Sequence, residues 1–216
     1  MANFLYLSYA AILAALFTGV LKIKGAPGGT KALLLPVVAA LAYGNAVCGI
    51  GFAIGEGGLL KALNTPRFFF HVFATPLLLF LALKLARGFK VPLAEKPAVL
   101  WVLWILSALL VAAGIMQELA SMELVPKMEL GTLRYAHPAP KPPLGPIVAN
   151  LVTIIAGALI WRRAGWPVLF VTSLAMLLTA GIPPKLFGQL PGNAGEIIFM
   201  LGFMFAIRRL AAASAR

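Results

Sequence analysis

The residues able to do chemistry are few and fall at similar places in the chain. His71 sits among Phe68, Phe69, Phe70 and Phe73, and Pro76 follows five residues later. An imidazole in that setting is expected to be neutral. The proline should kink its helix nearby and free a backbone carbonyl. Glu196 follows Asn193-Ala-Gly, the spacing of a capping box in which Asn193 and Glu196 would satisfy each other's backbone N–H groups at a helix start. Glu118 and Glu56 close two further apolar runs, Asn45 lies within the run that Glu56 closes and Asn150 within another, and Arg67 precedes His71 by one helical turn.

Such a set allows three kinds of chemistry. A His and a Glu can exchange protons. One imidazole with two carboxylates can bind a divalent cation, but the ligands would come from separate helices without any local metal-binding spacing, so no metal is expected. Amides, Arg67, His71 and Glu196 can also hold the polar head of a lipid-soluble ligand while Phe and Leu walls hold its apolar part. The last needs the fewest coincidences.

These residues sit in a chain whose composition fixes the solvent. Of 216 residues, 62% are hydrophobic and 11% charged, against about 45–50% and ~25% in a soluble domain. Mean hydropathy is +0.97. The excess apolar surface has to face lipid, so the chain is expected to be an all-α polytopic helical bundle in the cell membrane. There is no Asp, which excludes Asp-rich prenyl-transfer motifs, and the single Cys48 cannot form an internal disulfide. Two histidines, His71 and His137, are too few for a multi-His metal or bis-haem bundle. No Lys falls between residues 194 and 207, where a retinal Schiff base would need one in the last span. No cofactor is implied.

A helix needs roughly 20 apolar residues to cross ~30 Å of hydrocarbon. Seven runs are predicted, at about 2–21, 32–54, 66–86, 97–116, 147–161, 167–181 and 194–212, forming one transmembrane domain. The first lacks the basic n-region and cleavage site of a signal peptide and is read as a helix. Thr65-Pro66 resembles an N-cap followed by proline at the first helical position, which would start the third run at Pro66.

Seven runs place the termini on opposite sides. One side then holds Lys22, Lys24, Lys31, Lys84, Arg87, Lys90, Lys96, Arg162, Arg163, Arg208, Arg209 and Arg216, twelve in all. The other holds the remaining six, Lys61, Arg67, Lys127, Arg134, Lys141 and Lys185. The positive-inside rule assigns the richer side to the cytoplasm, with the N-terminus outside and the C-terminus inside. The net charge of +12 therefore points to anionic lipid on the cytoplasmic face and not to nucleic acid.

Measured from those basic anchors at ~1.5 Å per residue, Tyr9, Asn45, His71, Ser107, Asn150 and Glu196 share a depth of ~16–21 Å. Polar groups within hydrocarbon normally face the bundle interior or water, so one outward-opening cavity is expected. Residues 117–146 form the one long connection. Met-Glu-Leu occurs twice in it around Pro126, compatible with a short hairpin or interfacial helix, and a Pro-rich stretch follows. It could cap the bundle or simply cross its surface. Gly44, Gly51 and Gly55 form a small-residue face suited to a helix–helix partner. Spans one to three and five to seven could be a duplication like that of sugar-transporter folds, although few residues align.

The expected activity is binding or movement of a small or lipid-like molecule at this cavity by His71, Glu196, Glu118, Glu56, Asn45, Asn150 and Arg67. Two alternatives are a non-catalytic accessory subunit of a larger membrane complex, and a lipid-modifying enzyme using His/Glu acid–base chemistry.

Overall fold

Helix boundaries follow the glycines and prolines, with informative exceptions. The computed structural model describes residues 2–120, 122–139 and 142–214; Lys141 and Arg216, used in the charge comparison, lie outside them. In order the elements are α1 (Ala2–Leu21), α2 (Thr30–Ile54), α3 (Gly58–Ala74), α4 (Leu77–Gly88), α5 (Pro92–Glu95), α6 (Pro97–Gly114), β1 (Val125–Glu129), β2 (Thr132–Ala136), α7 (Leu144–Ala164), α8 (Val168–Ala180), α9 (Pro184–Phe187) and α10 (Leu190–Ser214). The described residues are all-α apart from one hairpin. Among the described residues, five helical segments are long and apolar enough to cross a membrane, and α3 with α4 makes a sixth if that bent pair is one span. The seventh expected span is the 13-residue α8, only ~20 Å long against ~30 Å of hydrocarbon.

Pro76 acts as expected: α3 ends at Ala74, α4 starts at Leu77, and the pair bends by 40°. Thr65-Pro66 does not start a helix. The helix begins at Gly58 and runs through Pro66, with Thr65 Oγ1 donating to the Lys61 carbonyl (3.0 Å). The two extra turns are kept because Leu60 and Asn64 are fully buried, Leu60 in a cluster with Val47, Leu124, Leu133 and Tyr135. Apolar burial of this kind is worth about 1.5–3 kcal/mol for a Leu and outweighs a local capping preference. Likewise α10 begins at Leu190, three residues before the expected cap, so Asn193 and Glu196 lie inside the helix and the capping box does not form.

The long connection is largely structured. After Gly114 the helix continues as one π-helical turn, Ile115–Leu119, closed by the Ala120 N–H donating to the Ile115 carbonyl (2.7 Å). Strands β1 and β2 then pair antiparallel, with Glu129 opposite Thr132 and Val125 opposite Ala136. Leu130 and Gly131 both have positive φ (53° and 77°), the backbone of a type I′ two-residue turn whose twist matches the strands. Of the two readings for the repeated Met-Glu-Leu, the hairpin is the one observed.

Two ends of the bundle can be told apart by their contacts. At one end, Asn3 at the start of α1 donates to the Gly131 carbonyl (3.2 Å) and accepts from Thr132 Oγ1 (2.7 Å), tying α1 to the hairpin. At the other, basic side chains close the loops: Lys31 Nζ donates to the Leu21 carbonyl (2.8 Å), Lys84 Nζ to that of Gly28 (3.2 Å), Arg87 Nε to that of Ala94 (2.8 Å) and Arg163 Nε to that of Lys90 (3.1 Å). Between them runs the main core, where Leu13, Leu34, Leu79, Leu81, Ile160, Phe203 and Ile207 are fully buried.

Small residues set the closest approaches. On α10, Gly195 and Gly202 face Thr179 and Thr172 of α8, and a Cβ on Gly157 of α7 would meet the Phe170 backbone of α8. The small-residue face foreseen on α2 is used differently within the chain. A Cβ on Gly51 would collide with the Leu133 carbonyl of β2, so what comes close there is the hairpin backbone. Gly55 is outside the helix at φ 81°, with open space around it, and beside Gly44 lies the Arg67 side chain.

Candidate functional site

At the hairpin end a cavity of about 530 Å³ opens between α2, α3, α7, α10, the π-helical turn and the segment after β2. Each wall has a local reason for its geometry. His71 lies one turn before the Pro76 break, which bends α4 away beneath it. Gly114 allows Val72 of α3 to approach α6 closely. The π-helical turn that follows shifts the register of the next residues, and Gln117 and Glu118 line the cavity. Single π-turns of this sort are common where a side chain has to be re-aimed.

Four of the six residues expected at one depth do share this cavity: Asn45, His71, Asn150 and Glu196. Tyr9 packs against the main core and Ser107 is buried, and neither lines it. Arg67 and Glu118 also line the cavity. Glu56 does not. It is exposed in the tight turn between α2 and α3, because Gly55 ends α2 before the chain can carry Glu56 inward.

Asn45 Nδ2 donates to the Leu41 carbonyl (2.9 Å), and its Oδ1 accepts from Asn193 Nδ2 (2.9 Å), joining α2 to α10 across the cavity wall. The asparagine assigned to a helix cap is thus an interhelical tie. Arg67 is held by a 2.7 Å hydrogen bond from Nη1 to Asn64 Oδ1, and Asn64 Nδ2 donates in turn to the Leu60 carbonyl (2.8 Å). It forms no ion pair with a Glu: among the described residues the one ion pair is Arg134 with Glu129 (3.0 Å). His71, Glu118 and Glu196 make no side-chain hydrogen bond among the described residues. His71 and Glu196 are half-buried and border the cavity.

Asn150 shows the polar character of the wall most plainly. It is 4% exposed, its Nδ2 donates to the Ser173 carbonyl (3.1 Å), and its Oδ1 has no partner. Arg134 Nε and His137 Nε2, on two other residues of the wall, are also buried without partners. Native interiors contain few such atoms, since an unmet buried polar group costs about 1–3 kcal/mol. All three found among the described residues belong to residues lining this one cavity.

Sequence reading passed over Arg134, His137, Glu123 and Gln189, which line the cavity too. His137 meets Phe68 edge-on with ring centroids 4.9 Å apart, so the hairpin's exit strand is packed onto α3 beside Arg67. The available signal was the Leu130-Gly131 turn flanked by Met128 and Leu133, a hairpin pattern that brings Arg134 and His137 back over the bundle. The cavity floor is apolar: Val37, Ala40 and Leu41 from α2, Ala74 and Leu78 below His71, and Phe199 and Met200 below Glu196. No protein-family model, curated protein or solved structure matches the chain.

Proposed function

We propose that the protein is a seven-span integral membrane protein of the cell membrane that binds a small or lipid-like molecule in the cavity beneath the hairpin. The observation carrying this reading is the clustering of all three unpartnered buried polar atoms in residues around one 530 Å³ space with an apolar floor. Its size falls in the range of small-molecule sites, about 300–1,000 Å³. His71 and Glu196 exchange a proton or hydrogen bond with the ligand head, Asn45 and Asn150 orient it, and Arg67 supplies a fixed positive charge. An accessory subunit would have no need of a polar pocket of this size, which favours ligand binding over that alternative.

Seven crossings are supported by the path of α8. Asn150 and Gly157 of α7 meet Ser173 and Phe170, while Thr179 and Thr172 meet Gly195 and Gly202 of α10. The short helix therefore runs antiparallel to both neighbours and carries the chain from the basic end back to the level of the cavity. With the basic end in the cytoplasm, the N-terminus and hairpin are outside and the basic loops touch anionic lipid. Fully buried Leu34, Leu79 and Phe203 fill the bundle below the floor, so this conformation favours holding a ligand over passing it through.

The test is the lipid and small-molecule content of purified protein by mass spectrometry. Wild type is expected to retain a molecule that His71→Ala and Glu196→Gln lose by about tenfold, the factor for ~1.4 kcal/mol of binding. Equal content in all three proteins rules the ligand site out.

A further inference from the structure

The arrangement of charge in the cavity narrows the ligand class, and this step rests on the binding reading above. Arg67 packs along Gly44; the next residue, Asn45, is hydrogen-bonded to Asn193, one turn before Glu196 on α10. Arg67 and Glu196 thus line one space within about one helical turn of each other in depth, as do Glu118 and Glu123, yet no ion pair joins any of these groups; the only one among the described residues is Arg134 with Glu129. Unneutralised charges inside a bilayer are costly and are normally paired. A ligand carrying one charge of each sign can pair with Arg67 and with Glu196, the carboxylate that the Asn45–Asn193 tie brings to the Arg67 side of the cavity.

The apolar floor sets the second property. From the Asn45 level the lining of α2 runs down through Leu41 to Val37, eight residues, or ~12 Å. From Glu196 to Met200 it is four residues, or ~6 Å. Below that the core is closed by fully buried Leu34, Leu79 and Phe203. The polar level lies toward the hairpin and the apolar floor toward the bundle centre, which is the orientation of a lipid in the hairpin-side leaflet.

We infer that the cavity takes a single-chain zwitterionic amphiphile, with its anionic group on Arg67, its ammonium on Glu196, and an apolar segment of ~10 Å in the floor between α2 and α10. The anion is held by guanidinium N–H donors, whose planar fork suits a phosphate or carboxylate. The ammonium is held by a carboxylate that has no other cation in contact among the described residues.

The test uses the full chain in nanodiscs of anionic diacyl lipid, so that the bilayer supplies no zwitterionic competitor. Four dodecyl probes, phosphocholine, sulfate, trimethylammonium and maltoside, are titrated below their micellar concentrations and read by native mass spectrometry. Phosphocholine is expected to bind at least about tenfold tighter than the other three, equivalent to ~1.4 kcal/mol. Arg67→Gln should remove its advantage over trimethylammonium, and Glu196→Gln its advantage over sulfate, with maltoside binding kept in both as the check that the cavity is intact. Within the phosphocholine series, affinity should rise by about fourfold per methylene in short chains and stop rising between octyl and dodecyl. If sulfate, trimethylammonium or maltoside matches phosphocholine, or if either variant loses all four probes alike, the zwitterion inference is overturned while amphiphile binding stands. If no probe binds at all, the binding reading falls with it.

Discussion

The two ends of the bundle use polar side chains in opposite ways. At the basic end, Lys31, Lys84, Arg87 and Arg163 each donate to a backbone carbonyl in or beside a connection between helices. At the hairpin end, Asn150 Oδ1, Arg134 Nε and His137 Nε2 are buried with nothing to bond. One end spends its polar groups on closing the connections between helices, and the other leaves some of them buried and unpartnered in residues that line a cavity. The contrast teaches that unmet polar groups follow the cavity more closely than charge density does: most of the cations are at the basic end, and the cavity is not.

Substitutions can break that contrast, and the largest effect should come from separating the hairpin from the bundle. Gly51→Val forces a side chain into the Leu133 carbonyl, and overpacking of this kind costs about 1–3 kcal/mol or more. Gly28→Val, at the basic end with open space around it, should be nearly silent. Thermal unfolding in detergent compares the two, and equal melting points would mean that the hairpin does not contribute to the folded core.

Next in size is the difference between two asparagines. Asn45 has both ends of its amide engaged, so Asn45→Leu leaves Asn193 without its partner and should destabilise by about 1–3 kcal/mol. Asn150→Leu loses one hydrogen bond, worth about 1 kcal/mol, but also removes the orphaned acceptor. The ligand-free protein should therefore keep its melting point within a few degrees while ligand retention falls. A large loss of stability in Asn150→Leu would make that residue an ordinary packing tie.

The smallest effect is expected at Lys31→Ala, a half-buried side chain that donates to the Leu21 carbonyl at the end of α1. It should change stability by no more than about 0.5 kcal/mol and leave bound ligand content untouched. A loss of ligand there would show that the two ends are coupled.

Some of this architecture was legible in one dimension and some was not. The Pro76 break was visible because a proline lacks the N–H that an unbroken helix needs. The shared depth of Asn45, His71, Asn150 and Glu196 was visible because helix rise is constant. Thr65-Pro66 and Asn193-Ala-Gly-Glu196 misled for a common reason: both are local capping patterns overridden by neighbours distant in sequence, Leu133 and Tyr135 in one case and Asn45 in the other. Glu56 was placed with the site because its position along the chain was right, but the turn at Gly55 leaves it in solvent.

The sequence by itself determined the solvent and the class of fold, because 62% apolar residues with 11% charged cannot be covered in water. It also determined which few polar residues lie deep in the chain's apolar runs. Only the tertiary structure decided that a hairpin covers them, that Arg134 and His137 join them, and which of their atoms are left unpartnered. Those outcomes depend on contacts such as Gly51 with Leu133 and Asn3 with Thr132, between residues far apart in sequence. Helix periodicity and charge counting describe each segment alone and carry no information about such contacts.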